Sequence, residues 1–195
     1  MYICIRIYFL TKTQKIMIKK LFLAVATVFF ATSVFSQNFA KGDKALNAGI
    51  GLGWASSYAL SPIPSFNASF EVGIVDIPNV GVIGVGGFGS FRTSWYNHGT
   101  YKDTYTNGII AARGVFHFQF FDTGNFDLYA GVHAGIGFSK YSYTGYYYTD
   151  YSSSDTYLVD DVFAGARWMK NNKFGFFAEL GYGVSYFKAG ITLKF

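Results

Sequence analysis

Several ionisable side chains lie inside segments that otherwise carry almost no charge. Glu71, Arg113 and Glu179 sit in the middle of such segments and could meet across the interior of a closed sheet, with His117 and His133 nearby. An unpaired charge away from water costs several kcal/mol, so these groups are expected to pair with one another. A paired set of this kind could form a gate or proton path, or a polar plug that holds a closed sheet shut. The predicted network comprises Glu71, Arg92, Arg113, His117, Asp127, His133, Arg167 and Glu179.

Two of these residues are expected to form a specific ion pair. Asp127 begins one alternating segment and Arg167 ends the next one. In an antiparallel hairpin the start of one strand lies beside the end of the following strand. The sequence therefore predicts an ion pair between Asp127 and Arg167 at one end of the sheet.

Acyl-transfer chemistry is the enzymatic alternative. His98 has Ser94 and Asp103 within a few residues, and these are the residue types that nucleophilic catalysis requires. A loop rich in Ser, Asp and Tyr produces such neighbours by chance, so no enzymatic activity is predicted. The three histidines are scattered without metal-ligand spacing, and neither a metal nor a cofactor is expected.

A tyrosine-rich stretch offers a second kind of chemistry, which is surface recognition. Its tyrosines stand among Ser, Thr, Gly and Asp, a composition that resembles that of binding loops. The segment could contact glycans, lipopolysaccharide or another cell surface, or it could be a solvated loop whose rings rest on the rim of a barrel. Its tyrosines are Tyr141, Tyr143, Tyr146, Tyr147, Tyr148 and Tyr151.

The elements that must position these residues are eight segments with period-two alternation. No helical periodicity follows residue 37, and Pro62, Pro64 and Pro78 all fall between segments, where a missing backbone donor does not disturb a sheet. The pattern predicts an antiparallel meander of even strand number. The eight alternating segments are Leu46–Trp54, Phe66–Ile74, Val80–Thr93, Ile110–Gln119, Phe126–Phe138, Leu158–Trp168, Phe174–Ser185 and Phe187–Phe195.

The two faces of these strands indicate which side meets lipid. One parity is large and aromatic, whereas the other is mainly Gly, Asn and Ser with a few charges. Small residues suit the narrow lumen of an eight-stranded barrel, and in hydrocarbon only a closed sheet leaves no unpaired edge. Aromatic residues at strand ends, including Trp168 and Tyr157, are expected at the membrane interfaces. The fold predicted is all-β: an eight-stranded antiparallel up-and-down transmembrane barrel.

The N-terminus accounts for the net charge of +5. Lys19 and Lys20 precede the uncharged run Leu21–Phe35, which is typical of a secretory signal peptide cleaved after Ser36. Residues 1–36 are therefore predicted to be an N-terminal extension and signal peptide, with Met17 as the natural start, and residues 37–195 the barrel domain. From Gln37 onward 11 Lys and Arg balance 11 Asp and Glu, so nucleic-acid binding is not expected.

Connection lengths predict the orientation of the barrel. The long connections Ser56–Pro64, Ser94–Thr104 and Lys140–Thr156 alternate with the short ones, Asp76–Asn79 and Met169–Lys173 among them. Membrane barrels have short periplasmic turns and longer outer loops. Both termini are thus expected on the periplasmic side, and the last outer connection, near Ser185 and Tyr186, is very tight.

The whole chain from Gln37 resembles the small eight-stranded outer-membrane β-barrels of the porin-like superfamily, particularly forms common in Bacteroidetes. The resemblance lies in Lys41–Gly53, Ala111–Phe118 and Ala178–Phe195, and the final aromatic strand is its most specific part. It implies that this strand is read by the outer-membrane assembly machinery, through Phe187, Ile191, Leu193 and Phe195. Outer-membrane lipid and lipopolysaccharide are further expected partners, the apolar outward face is expected to meet the lipid, and a monomer is expected.

Two functional classes remain open at this stage. The first is a structural or surface-recognition barrel with a largely plugged lumen. The second is a narrow porin-like channel for ions or small solutes, with a lipid-modifying enzyme as a more distant third. Occupancy of the lumen by side chains distinguishes the first two.

Overall fold

The computed structural model describes residues 39–53, 64–97, 99–119, 125–145 and 150–195, and this part of the chain consists of strands and their connections. No helix among these residues is long and apolar enough to cross a membrane. The signal peptide predicted for residues 1–36 lies outside the described residues. The strands are β1 (Lys44–Leu52), β2 (Ser65–Ile77), β3 (Gly81–Asn97), β4 (Tyr101–Phe118), β5 (Phe126–Gly145), β6 (Tyr151–Met169), β7 (Phe174–Tyr182) and β8 (Phe187–Lys194).

The eight strands form a closed antiparallel barrel in sequence order, which confirms the predicted meander. Closure joins β1 to β8, with Leu46 opposite Leu193 and Leu52 opposite Phe187. Phe195 extends this ladder by exchanging two backbone hydrogen bonds with Lys44, at 2.9 and 3.0 Å. The end of the barrel that holds Lys44 and Phe195 is called the terminal end below.

The side chains divide by parity as the alternation predicts. Leu158, Phe66 and Ile110 point outward and are 85%, 67% and 66% exposed, whereas inward-facing Arg113 is 1% exposed. A sheet with an apolar exterior and a charged interior reverses the arrangement of a soluble barrel and matches that of a membrane barrel. The outward apolar face of β8 is likewise as predicted, with Phe187, Ile191, Leu193 and Phe195 all exposed.

The predicted long connections after β3 and β5 are largely wrong, because most of their residues are in strands. Ser94 pairs with Tyr105 and Asn97 with Lys102, so the ladder of β3 and β4 continues through most of the predicted connection. The ladder of β5 and β6 likewise runs out to Tyr143 opposite Tyr151. These parts alternate in Ser, Thr and Tyr rather than in aliphatic residues, and a search for apolar alternation does not detect them. Thr and Tyr nevertheless favour a strand, because their side chains pack well on a pleated, half-buried surface.

The outer connection between β7 and β8 reverses the predicted orientation of one side chain. Val184 shares the parity of outward-facing Leu180 and Tyr182, so alternation predicts it on the lipid face, but β7 ends at Tyr182 and Gly183 adopts φ +139°, a conformation that L side chains rarely adopt. The turn directs Val184 inward, where it is fully buried with Phe88, Ile109 and Val159. The tight connection itself is confirmed.

Tyr157 is the second residue whose orientation differs from the prediction. It was expected at a membrane interface, but it has the inward parity of β6 and packs against the same apolar cluster as Val184. Its position follows from the uninterrupted register of β5 and β6, which pairs Tyr157 with inward-facing Gly137. The lumen therefore contains an apolar layer as well as charged groups.

The segment before β1 closes the terminal end of the barrel. Phe39 is 1% exposed and stacks on the ring of His117 with centroids 4.1 Å apart. Its carbonyl oxygen accepts a hydrogen bond from Gln119 Nε2 at 3.1 Å, and Gly42 N–H donates to the Gly73 carbonyl at 2.9 Å. These contacts hold the aromatic ring across the lumen just below the charged groups.

Candidate functional site

Six strands, β2 and β4–β8, contribute to a cluster of charged and polar side chains in the lumen. We call this cluster the lumen network. Each member has the inward parity of its strand, and each is 4% exposed or less. Its members are Glu71, Arg113, His117, Asp127, Tyr129, His133, Asp161, Arg167, Glu179 and Lys188.

Arg113 is the central member of the lumen network. Its guanidinium donates from Nε to Glu71 Oε2 at 2.9 Å and from Nη2 to Glu179 Oε1 at 2.7 Å. The same guanidinium lies on the ring of Phe163, with Cζ 4.2 Å from the ring centroid. A planar group with several fixed donors suits this role, because it satisfies carboxylates on both sides at once. Arg113 thus joins β2, β4 and β7 across the lumen.

Arg167 repeats this arrangement nearer the terminal end. Its Nη1 donates to Asp127 Oδ2 at 2.8 Å, which is the ion pair expected from the sequence, and its Nη2 donates to Glu71. Asp127 also accepts a hydrogen bond from His117 Nδ1 at 3.0 Å. Glu71 therefore bridges the two arginines and makes one continuous network from two ion-pair clusters.

Lys188 adds a third cation on the side of β8. Its Nζ lies 3.3 Å from both Asp161 Oδ2 and Glu179 Oε2, and 5.1 Å from the ring centroids of Phe88 and Phe163. The aromatic faces and the two carboxylates surround the ammonium group in place of water. Lys188 and Asp161 stand on the inward parity in the sequence, but they were not included in the predicted network.

The hydrogen bonds of His133 determine its tautomer. Arg113 Nη1 lies 3.0 Å from His133 Nε2, and a guanidinium can only donate. Nε2 must therefore carry a lone pair, so Nδ1 carries the hydrogen and donates it to Asp161 Oδ2 at 2.8 Å. His133 is thus a neutral imidazole that connects a cation to a carboxylate.

Glycine makes room for the network at one position where a side chain would not fit. A Cβ on Gly165 would lie 2.7 Å from the Tyr129 ring and 2.8 Å from Glu179 Cγ. These are distances that real Cβ atoms do not show, so Gly165 is required for the close approach of both side chains. Tyr129 uses that space to donate from Oη to Glu179 Oε1 at 3.0 Å.

Above the network, on the side away from the terminal end, the adjacent layer of the lumen consists of uncharged side chains. The apolar layer of Phe88, Ile109, Ala111, Val159 and Val184 crosses the barrel there. A cavity of about 10 Å³ beside Phe88 and Lys188 is lined by Asn47 and Asn67, and it has room for a single water molecule. Within the described residues the lumen is therefore packed rather than open.

Of the predicted network residues, Arg92 is placed at a different level. It is inward-facing and 5% exposed, but it lies six residues beyond Gly86, the position on β3 that pairs with Arg113. At about 3.3 Å per residue this is about 20 Å farther along the strand. The structure thus brings the other seven predicted residues together and separates Arg92 from them.

Four neighbouring strands, β3–β6, extend past the other strands at the end of the barrel opposite the terminal end. β3 pairs with β2 up to Phe91, and β6 pairs with β7 from Val162 onward, so the outer parts of β3–β6 pair only with one another among the described residues. We call this part the projecting sheet. It comprises residues 93–97, 101–107, 139–145 and 151–157.

Tyrosines cover the inner face of the projecting sheet, which continues the lumen-facing side of the strands. Tyr105 packs against Tyr96 and Tyr141, with ring centroids 6.4 and 5.0 Å apart, and Tyr101 stacks on Tyr143 at 5.5 Å. The predicted recognition residues Tyr141, Tyr143 and Tyr151 therefore lie in strands and not in a loop. Tyr146, Tyr147 and Tyr148 lie outside the described residues.

One hydrogen bond joins a tyrosine to a carboxylate on this face. Tyr141 Oη donates to Asp103 Oδ1 at 2.8 Å, and this bond to a carboxylate raises the pKa of Tyr141 to about 12. The tyrosine therefore remains protonated and neutral at physiological pH. Asp103 is thereby fixed on the inner face, next to the rings.

The residues considered for acyl transfer also lie on the projecting sheet. Ser94 and Asp103 have the inward parity of β3 and β4, and Ser94 is 2% exposed. His98, the base that such chemistry would require, lies outside the described residues. Among the described residues, no group of three or more His, Cys, Asp and Glu side chains is placed to hold a metal ion.

Comparison with known proteins identifies the class of fold. No protein-family model matches the chain, and no curated protein matches it. Among solved structures, the chain is similar to Ail, the attachment invasion locus protein of Yersinia pestis, in complex with the heparin analogue sucrose octasulfate. That match has a TM-score of 0.55 at 17% identity and covers 80% of this chain and 100% of Ail. A second crystal structure of Ail gives a TM-score of 0.53 over the same shares at 17% identity. The fold is thus that of the small eight-stranded outer-membrane barrels.

Replacing Arg113 by Met should destabilise the barrel strongly. The change leaves Glu71 and Glu179 without their shared cation, and breaking a buried ion pair on one side costs about 3–5 kcal/mol. The free energy of unfolding in lipid vesicles, measured by urea titration, checks this. Lys194→Gln is the control, since its ion pair with Asp43 at 2.8 Å is partly exposed and should change stability by about 1 kcal/mol or less. Equal effects of both substitutions would contradict the central role of Arg113.

The tautomer of His133 can be measured directly. Nitrogen-15 NMR of the barrel in detergent micelles should show protonated Nδ1 and unprotonated Nε2 for His133 at neutral pH. A His133→Gln variant assigns the signals. Protonation at Nε2 is incompatible with the donor geometry of Arg113 and would show that the guanidinium is placed differently.

Proposed function

We propose that this protein is an outer-membrane barrel with a sealed lumen and a structural or surface-recognition role. The observation that carries the proposal is the combination of a lumen filled by its own paired side chains with a tyrosine-covered sheet that extends past the barrel on one side. A filled lumen leaves the projecting sheet as the part able to meet other molecules. Ail is crystallised with a heparin analogue, which supports assigning recognition to a barrel of this fold.

The alternative, a narrow channel for ions or solutes, requires the charged groups to separate. The lumen network holds Asp127, Glu71 and Glu179 on cations at 2.7–2.9 Å, with Phe39 below and the apolar layer above. Opening a path would break several buried ion pairs at once. We therefore favour the plug over the gate or proton path.

The outward faces fit the membrane partners. We propose that the apolar exterior contacts outer-membrane lipid and lipopolysaccharide, and that Phe187, Ile191, Leu193 and Phe195 form the signal for the assembly machinery. Their exposure on the strand that closes the barrel supports this assignment. The barrel closes on itself and needs no second copy, so we propose a monomer. A signal peptide in residues 1–36 would deliver the chain to the periplasm.

A sealed lumen predicts the absence of conductance. The refolded mature protein should produce no single-channel steps in planar bilayers, once heat-modifiable mobility shows that it has folded. Glu179→Leu removes one of the two carboxylates that Arg113 and Lys188 each contact, and it should either cause leakage or lower the free energy of unfolding by about 3–5 kcal/mol. Leu180→Ala, at the adjacent lipid-facing position, is the control and should not conduct. Regular conductance steps of the wild-type protein would favour the channel.

Surface recognition predicts that adhesion depends on the projecting sheet. Cells that display the wild-type barrel should bind to a subset of immobilised glycans or matrix proteins, and the variant Tyr105→Ser, Tyr141→Ser, Tyr151→Ser should return to the level of cells without the barrel. Tyr182→Ser serves as the control, because this tyrosine is 72% exposed at the end of β7 and lies outside the projecting sheet. Wild-type adhesion no greater than that of barrel-free cells would remove the recognition role.

A further inference from the structure

The charged residues of the projecting sheet are divided between its two faces by sign. Its strands carry four charged side chains, and the register of β4–β6 is uninterrupted, so the face of each follows from its position. Lys102 and Lys140 share the outward parity of Ile110 and Phe138. Asp103 and Asp155 share the inward parity of Ile109 and Val159.

The inner face therefore combines carboxylates with aromatic rings. Asp103 accepts a hydrogen bond from the Tyr141 hydroxyl at 2.8 Å. Asp155 lies opposite Ser139, which is the next inward-facing residue to Tyr141 on β5. Tyr96, Tyr105 and Tyr151 keep 45%, 42% and 60% of their surface exposed. Arg92 belongs to the same parity, but it lies beneath this surface and is 5% exposed.

This combination has a defined chemical preference. The face of a tyrosine ring attracts cations through its quadrupole, and guanidinium groups stack on such rings. Carboxylates beside the rings add charge attraction, and they repel anions. Sulfate and phosphate groups are consequently disfavoured on this face.

We propose that the inner face of the projecting sheet binds a cationic polypeptide segment, with Lys or Arg side chains placed over the tyrosines and paired with Asp103 and Asp155. The proposal rests on the recognition function proposed above and names the class of partner. A polypeptide fits better than a small cation, because the two carboxylates stand on different strand pairs and the rings between them form an extended surface. The lysines of the outward face lie on the opposite side of the sheet and do not oppose such a ligand directly.

Fluorescence anisotropy with the barrel in phosphatidylcholine nanodiscs tests this, because zwitterionic lipid free of lipopolysaccharide does not itself attract cationic peptides. The probe is a labelled peptide of alternating Arg and Ser. The comparison ligands are the same peptide with Glu for Arg, sucrose octasulfate and a neutral maltooligosaccharide. The variants are Asp103→Asn with Asp155→Asn, and, as the matched control, Lys102→Gln with Lys140→Gln. Heat-modifiable mobility establishes that each variant is folded.

The Arg peptide should bind, and the two aspartate substitutions should weaken its binding about three- to tenfold, as expected for the loss of two solvent-accessible charge contacts. The two lysine substitutions should leave its affinity unchanged or raise it. Equal loss in both variants, or binding of sucrose octasulfate or the Glu peptide instead, overturns the proposal. Binding of the neutral oligosaccharide alone also overturns the proposal, but it leaves surface recognition intact. If cells that display the barrel show no adhesion above background, both the cationic partner and the recognition role are contradicted.

Discussion

Charge pairing in a lumen without bulk water is the constraint on which the rest of this structure depends. Four carboxylates, Glu71, Asp127, Asp161 and Glu179, share the lumen with the fixed cations Arg113, Arg167 and Lys188. Each of these groups would be costly alone, so each strand that carries one is held in register by its partner on another strand. The small residues around them follow from the same requirement, since Gly165 leaves the space in which Tyr129 and Glu179 meet. Outside the barrel the apolar parity needs no pairing, because lipid covers it.

Much of this could be predicted from period-two alternation, and the limits of that prediction have physical reasons. Alternation gave the eight strands, the two faces and the pairing of Asp127 with Arg167, because parity and strand order alone decide them. It missed the projecting sheet, where Ser, Thr and Tyr alternate without the aliphatic residues that mark a lipid-facing strand. It misplaced Val184, because a glycine with positive φ ends β7 two residues earlier. The plugging position of Phe39 had no signal in the sequence, as its contacts with His117 and Gln119 come from elements some 80 residues away.

A barrel whose lumen is sealed can contact molecules in water only at its two ends. The similarity to Ail establishes the fold, and at 17% identity it does not extend to the residues of a ligand site. The projecting sheet of this chain has tyrosines and aspartates facing inward and lysines facing outward. Within the membrane, alternation of side chains separates the lipid-facing side of the strands from the lumen. In the projecting sheet the same alternation separates an inner face of tyrosines and aspartates from an outer face with lysines. One strand pattern therefore produces the lipid-facing exterior, the sealed lumen and the surface proposed for recognition at successive heights of the barrel.

The central claim is that side chains close the lumen completely, and water is the most demanding probe of that closure. Stopped-flow light scattering measures the osmotic water permeability of vesicles that contain the refolded barrel. The lumen network, Phe39 and the apolar layer together predict a permeability equal to that of protein-free vesicles of the same lipid. A permeability that rises in proportion to the amount of folded barrel would contradict the account, because it would reveal a continuous water path through the charged network.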